Sequence, residues 1–161
     1  MKTTESASPT TTAQFARRLF RELHLAILQH ETGALTGNVE SVHDMRVGIR
    51  RLRVAMNNFA ICFHQPERRR WRSKLENLAA TLGKIRDLDV MIEALKRQAE
   101  TRTASDRVAI TSFVSRLRVR RRRALQNLKS YFSGEEYLEF KQGFSADANQ
   151  SPAPKPESDA Q

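Results

Sequence analysis

The sequence predicts an all-α fold: an antiparallel four-helix bundle with a short C-terminal helical segment and a disordered tail. Three observations point to it. Apolar residues recur at three- and four-residue spacing through most of the chain, and no stretch alternates as a half-buried strand does. Six Gly and five Pro in 161 residues favour a few long elements over many turns. The breakers that do occur (Thr32-Gly33, His64-Gln65-Pro66 and Ser133-Gly134) fall between the periodic stretches. This length fits one domain with its own core.

Residues 1–10, rich in Thr and Ser with Pro9, read as a flexible leader ahead of a helical domain at 11–144. The first helix is predicted over 13–31. Phe15, Ala16, Leu19, Leu23, Ala26 and Ile27 form its apolar face, and Thr11 with Gln14 can make a capping box. A linker leads to Ser41, an N-cap with Asp44 three residues on. The second helix, 42–63, directs Met45, Ile49, Leu52, Met56, Phe59 and Phe63 inward. Pro66 suits the first turn of the third helix, 67–100, whose stripe is Trp71, Leu75, Leu78, Leu82, Ile85, Ile92 and Leu95. Gly83 marks a bend or a close approach.

Thr103 or Ser105 caps the fourth helix, 106–132, with Ile110, Phe113, Leu117, Ala124, Leu128 and Phe132 inward. Residues 135–144 form the closing segment. Residues 145–161, with three prolines and no apolar period, read as the tail. Short connections between four long helices imply up-down packing.

The charge is as informative as the periodicity. Lys and Arg number 28 against 18 acids, a formal net charge of +10. The tail holds Lys155 against Asp147, Glu157 and Asp159, and Lys2 and Glu5 cancel, so the whole excess sits on the helical body. A compact body so charged repels itself, which makes a polyanion the natural partner. Cys62 is the only cysteine, so no intrachain disulfide can form. No apolar run is long enough to cross a bilayer, and the N-terminus lacks the apolar core of a secretory signal. A cytoplasmic protein with no membrane partner is expected.

The most informative stretch is V-H-D-M-R-V-G-I-R-R-L-R at 42–53. On a helix, His43, Arg46, Arg50 and Arg53 fall within an arc of about 80°, joined by Asn57, and form a one-sided ladder. Guanidinium groups at such spacing suit closely spaced anionic oxygens, because Arg makes paired, charge-assisted bonds to phosphate. The blander reading is a solvated charged face. Against it, no acid sits three or four residues from Arg50 or Arg53, and Val47, Val54 and Ile61 line the ladder's far side at heptad spacing. Apolar flanks on both sides suggest a groove or a partner surface.

The fourth helix adds Arg116, Arg120 and Arg123 on one edge, expected to converge with the ladder, whereas Arg118 and Arg122 point elsewhere as solvated charges. Arg121 falls within the apolar stripe, a costly place for an unpaired charge. Asp89 of the third helix projects onto its own apolar stripe, so it is expected to be a buried structural acid against Arg121 or Arg86.

In these residues the chain resembles the CHAD family, the conserved histidine α-helical domains. The resemblance rests on the 42–53 motif and on L-G-K-I-R-D-L-D-V at 82–90, with looser agreement in the Arg-rich fourth helix and at Tyr137-Leu138. It covers residues 15–144 and implies a helical bundle that binds inorganic polyphosphate through a basic surface. His43, Arg46, Arg50, Arg51 and Arg53 stand in the family's signature positions. Such domains usually hold two four-helix halves around a basic channel, sometimes attached to a triphosphate-processing catalytic domain. This chain matches the first half only. The resemblance therefore implies either a homodimer that completes the channel, with the Val47–Val54–Ile61 stripe as the surface it covers, or an open and weaker binding surface. It also implies association with polyphosphate granules.

Little points to catalysis. His43 can be read as a phosphate contact, a phosphoryl acceptor, a metal donor or a structural group bonding a loop carbonyl. His24, His30 and His64 form no metal-ligand spacing, and Asp87 and Asp89 lie about 160° apart on their helix. No Gly-rich phosphate loop or nucleophile elbow occurs. No catalytic residue, metal or cofactor is predicted, and Trp71, Met45 and Met56 are assigned to the core. The competing readings are nonspecific binding of nucleic acid or another polyanion, an accessory subunit of a phosphate-metabolising enzyme, and an inert helical scaffold.

Overall fold

The computed structural model describes residues 11–150; the leader at 1–10 and the tail at 151–161 lie outside the described residues. The fold is all-α, with no strand among the described residues. Its helices are α1 (Thr12–Leu28), α2 (Glu31–Thr36), α3 (Val39–Asn58), α4 (Gln65–Glu100), α5 (Ala104–Phe132) and α6 (Glu135–Gln150), with a 3-10 turn at Ala60–Cys62.

Local chemistry sets most boundaries. Thr11 and Gln14 make the reciprocal capping box at the start of α1. Thr103 caps α5 through Asp106, and Pro66 occupies the first turn of α4. The expected linker contains the short α2, which ends at Gly37 in the left-handed region with φ 78°. The chain reverses there, and Asn38, not Ser41, caps α3: its side-chain oxygen accepts the Ser41 N–H at 2.8 Å. The ladder helix thus begins three residues earlier than expected. It ends at Asn58 rather than Phe63, where the backbone tightens into the 3-10 turn.

Four helices close a ring. α1 packs on α3, α3 on α4, α4 on α6, and α6 back on α1. Arg46 pairs with Asp87 and Arg53 with Glu76 across α3–α4, and Arg70 pairs with Asp147 and Asn77 with Glu136 across α4–α6. His24 meets Phe140 and Arg21 meets Asn149 across α1–α6, while Ile27 and Phe20 of α1 meet Gly48 and Phe59. Partner numbers run in opposite order in each case, so neighbours are antiparallel. The fourth place in this ring belongs to α6, not to the long α5 that helix length and periodicity favour.

The length of α6 explains this. Phe140, Phe144 and Ala148 continue one buried stripe at four-residue spacing, and Asp147 accepts the Trp71 indole N–H at 3.1 Å. Residues 145–150, assigned to the tail from their polarity, are therefore the last turns of a core helix.

α5 instead lies along the outside of α4. Its C-terminal third brings Ala124, Leu128 and Phe132 into the main core. Farther out, α4 and α5 form a two-helix hairpin around a small cluster of Ile92, Val114 and Leu117. The inward residue there is Val114, while Phe113, expected inside, is exposed. At 36 residues, α4 is about 54 Å long and spans both parts.

The inner face of α1 also differs from expectation. Ala13, Ala16, Phe20, His24 and Ile27 are buried, a face rotated by about 80° from the predicted one. Phe15 is 50% exposed, and Leu19 and Leu23 are only half-buried. α1 is apolar on two sides, and periodicity alone selected the wrong one.

Candidate functional site

The Arg ladder of α3 faces α4. His43, Arg46, Arg50 and Arg53 line a groove of about 450 Å³ between the two helices, and α4 contributes Arg86 to its opposite wall. The facing flank of α4 carries the small residues Ala79, which lines the groove, and Gly83, which lies under Arg46. Gly83 leaves bare backbone beneath the Arg46 guanidinium, and a Cβ there would stand 4.0 Å from Arg46 Cζ. The expected close approach at Gly83 is not found: a methyl group there would meet only the end of the Arg46 side chain, at ordinary contact distance.

Acids from α4 reach two rungs. Arg46 Nη1 lies 3.6 Å from Asp87, and Arg53 donates at 2.9 Å to Glu76, which also accepts from Arg72 at 3.1 Å. The helix's own sequence holds no such acid; the partner helix supplies it. Asp87 is well exposed and Glu76 half-exposed, so these pairs hold at most about 1 kcal/mol each. His43, Arg50 and Arg86 have no ion pair or side-chain hydrogen bond among the described residues. His43 therefore bonds no loop carbonyl; it is exposed and lines the groove.

The other predicted residues are distributed differently. Arg51 lines an apolar groove of about 560 Å³ between α1 and α3, together with Leu19, Leu23, Val54 and Phe59, and Arg50 lies between this groove and the α3–α4 trough, lining both. Val47 and Val54 of the predicted stripe line this groove, with Val54 50% exposed, whereas Ile61, 70% exposed, lies beyond the end of α3 in the 3-10 turn. Arg116, Arg120 and Arg123 do not converge with the ladder. On α5 they flank the apolar stripe on one side, whereas Leu125, which packs against Gly37, flanks it on the other. Arg116 is exposed, with its guanidinium over the Phe113 ring.

Arg118 and Arg122, read as merely solvated, sit on the Leu125 side and line a groove of about 660 Å³ between α4 and α5. Arg86 was considered only as a partner for Asp89, yet it faces both grooves. Its signal was present in the flank of α4: Arg72, Glu76, Ala79, Gly83, Arg86 and Val90 recur at three- and four-residue steps, beside the apolar stripe.

Asp89 is buried and paired. Arg121 Nε donates to one of its carboxylate oxygens, and Arg121 Nη2 reaches the other at 3.3 Å while also donating to the Gly37 carbonyl at 2.7 Å. Of the two candidate partners, Arg121 is the one used. Asp87 lies on the opposite flank of α4, toward the ladder, so the two carboxylates do not act together.

Among the described residues no group of three His, Cys, Asp or Glu side chains could hold a metal ion, and no helix is long and apolar enough to cross a membrane.

Fold and groove together define a helical protein whose second long helix presents guanidinium groups to a trough shared with the third. The model of the CHAD domain matches residues 18–161, and the chain belongs to that family. The match runs past residue 144, the end of the sequence resemblance, and includes the last turns of α6. No curated protein matches the chain.

Proposed function

We propose that the protein binds inorganic polyphosphate in the α3–α4 groove and that it acts by binding rather than by catalysis. One observation carries this reading. Arg50 and Arg86 face the same trough from two helices without a neutralising partner, beside Arg46 and Arg53, whose acids are exposed and weakly held. A polymer of phosphoryl groups offers many oxygens at short, regular spacing, so several guanidinium groups can bond it together. It can displace the Asp87 and Glu76 pairs because surface ion pairs hold so little free energy. A cytoplasmic setting suits this reading.

Nucleic acid carries the same charge at wider spacing, and a competition separates the two. Polyphosphate is expected to displace a labelled oligonucleotide far more effectively than the reverse. Equal exchange would assign the groove to polyanions in general. The deciding titration compares wild type with Arg46→Glu/Arg50→Glu by light scattering. Wild-type binding lost in the variant is the expected result, and unchanged binding removes the proposal. The same measurement reports whether the protein forms a homodimer.

A further inference from the structure

We infer that the α4–α5 hairpin carries a second phosphate-binding segment, continuous with the α3–α4 groove, so that a long polyphosphate follows α4 from one groove into the next. The inference rests on reading the first groove as a polyphosphate site and extends it to residues outside the α3 ladder.

Two features of the structure join the grooves. Arg86 and Val90, one turn apart on α4, belong to the walls of both. Arg86 has no acid partner, so its guanidinium is free to bond a chain passing from one groove to the other. The first groove occupies α4 from Ala79 to Val90 and the second from Arg86 to Arg97. At 1.5 Å per residue the two together follow the helix for roughly 27 Å, against about 16 Å for either alone.

The second groove has the charge to hold the extension. Beyond Arg86 it presents Lys96 and Arg97 from α4 and Arg118 and Arg122 from α5. None of these makes an ion pair among the described residues. Two acids lie nearby. Asp89 is already committed to Arg121, which leaves Glu93 as the single free carboxylate facing the ligand. The Asp89–Arg121 pair thus spans the groove floor as a neutral unit and fixes the spacing of the helices that carry the free cations. A short oligophosphate fills one groove, whereas a long chain gains contacts in both, which makes affinity depend on chain length.

The test measures tripolyphosphate and long-chain polyphosphate binding across a salt series, on wild type, Arg118→Ala/Arg122→Ala and Arg46→Ala/Arg50→Ala. Both hairpin residues are exposed, and a matching melting temperature confirms that the variant folds. Losing two charge-assisted contacts is expected to weaken long-chain binding by about tenfold or more. The slope of log affinity against log salt should become shallower by roughly two. Tripolyphosphate, which does not contact both grooves at once, is expected to lose clearly less affinity than the long chain, while the ladder variant weakens both ligands. A hairpin variant that keeps wild-type long-chain affinity, or that loses both ligands equally, overturns the second segment and leaves the first site standing. Wild type binding neither ligand overturns the polyphosphate reading itself, and this inference with it.

Discussion

Arg121 of α5 closes a three-way junction on Asp89 of α4: it bonds the carboxylate and donates to the carbonyl of Gly37, the residue that ends α2. Three elements are tied by one guanidinium, and the Asp89 side chain is only 6% exposed. Asp89→Ala leaves the Arg121 charge without its counter-ion in a partly buried place, a loss of about 3 kcal/mol. The melting temperature should fall by roughly 10 °C. Replacing the pair together, as Asp89→Leu/Arg121→Met, is expected to recover much of this because no charge is then stranded. Thermal unfolding of the three proteins checks it, and an unchanged midpoint for Asp89→Ala would remove the junction as a stabilising element.

The two arginine sets on α3 and α5 should separate in binding. Arg46→Ala/Arg50→Ala removes two rungs from the α3–α4 groove and is expected to weaken polyphosphate binding by about a hundredfold. Arg116→Ala/Arg120→Ala/Arg123→Ala removes more positive charge from a face that lines neither basic groove. Its effect should stay below roughly threefold at physiological salt, where distant exposed charges are screened. Comparable losses in the two variants would mean that total charge, not the trough, holds the ligand.

That contrast also marks how far the sequence could be read. The ladder was legible because His43, Arg46, Arg50 and Arg53 share one face of one helix, and helical periodicity is a local property. The Asp89–Arg121 pair was legible for a related reason: each charge falls on its own helix's apolar stripe, and a buried charge needs a partner. What periodicity does not encode is which helix lies beside which. The choice between Arg116–Arg120–Arg123 and Arg118–Arg122 required knowing which flank of α5 turns toward α2 and α3, and that is fixed by packing such as Leu125 on Gly37. The face of α1 failed similarly: Phe15, Leu19 and Leu23 compete with Phe20 and Ile27, and His24 counted as polar although the fold buries it. The end of α6 was missed because Asp147 and Asn149 made the segment look solvated, although Asp147 bonds Trp71 and Arg70.

Two glycines in facing helices should respond in opposite directions. At Gly83 a methyl group meets only the Arg46 guanidinium, at ordinary contact distance. Gly83→Ala is therefore expected to stabilise α4 by about 0.5–1 kcal/mol through the entropy of the unfolded chain, with little change in binding. Gly83→Leu should instead push Arg46 out of the trough and weaken polyphosphate binding without unfolding the protein. At Gly48 a Cβ would stand 2.9 Å from Ile27 Cγ1, at the α1–α3 crossing. Gly48→Ala should cost about 1–3 kcal/mol by overpacking. Denaturant midpoints for the two Ala variants, with a titration of Gly83→Leu, check all three outcomes.

His24 makes the fold sensitive to mild acid. Its ring is buried between α1 and α6 against Phe140 and Phe144. Nε2 lies 3.1 Å from the Phe140 carbonyl, which can only accept, so the neutral ring carries its proton there, and Nδ1 accepts from the Ser145 hydroxyl at 2.8 Å. Burial holds the imidazole below its ordinary value of 6.5, and the Phe140 carbonyl offsets this only in part. A base whose folded value is depressed binds its proton more readily when unfolded. The stability from the neutral ring is thus fully present above about 6.5 and is lost as pH falls from there through the lower folded value. The melting temperature should therefore fall between about pH 7 and pH 5, before the depressed carboxylates Glu67 and Glu139 begin to titrate. His24→Gln, which cannot titrate, should be less stable at neutral pH and flatter across that window. If wild type and His24→Gln lose stability in parallel, the acid sensitivity belongs to other groups, and the α1–α6 seam is not where protons act.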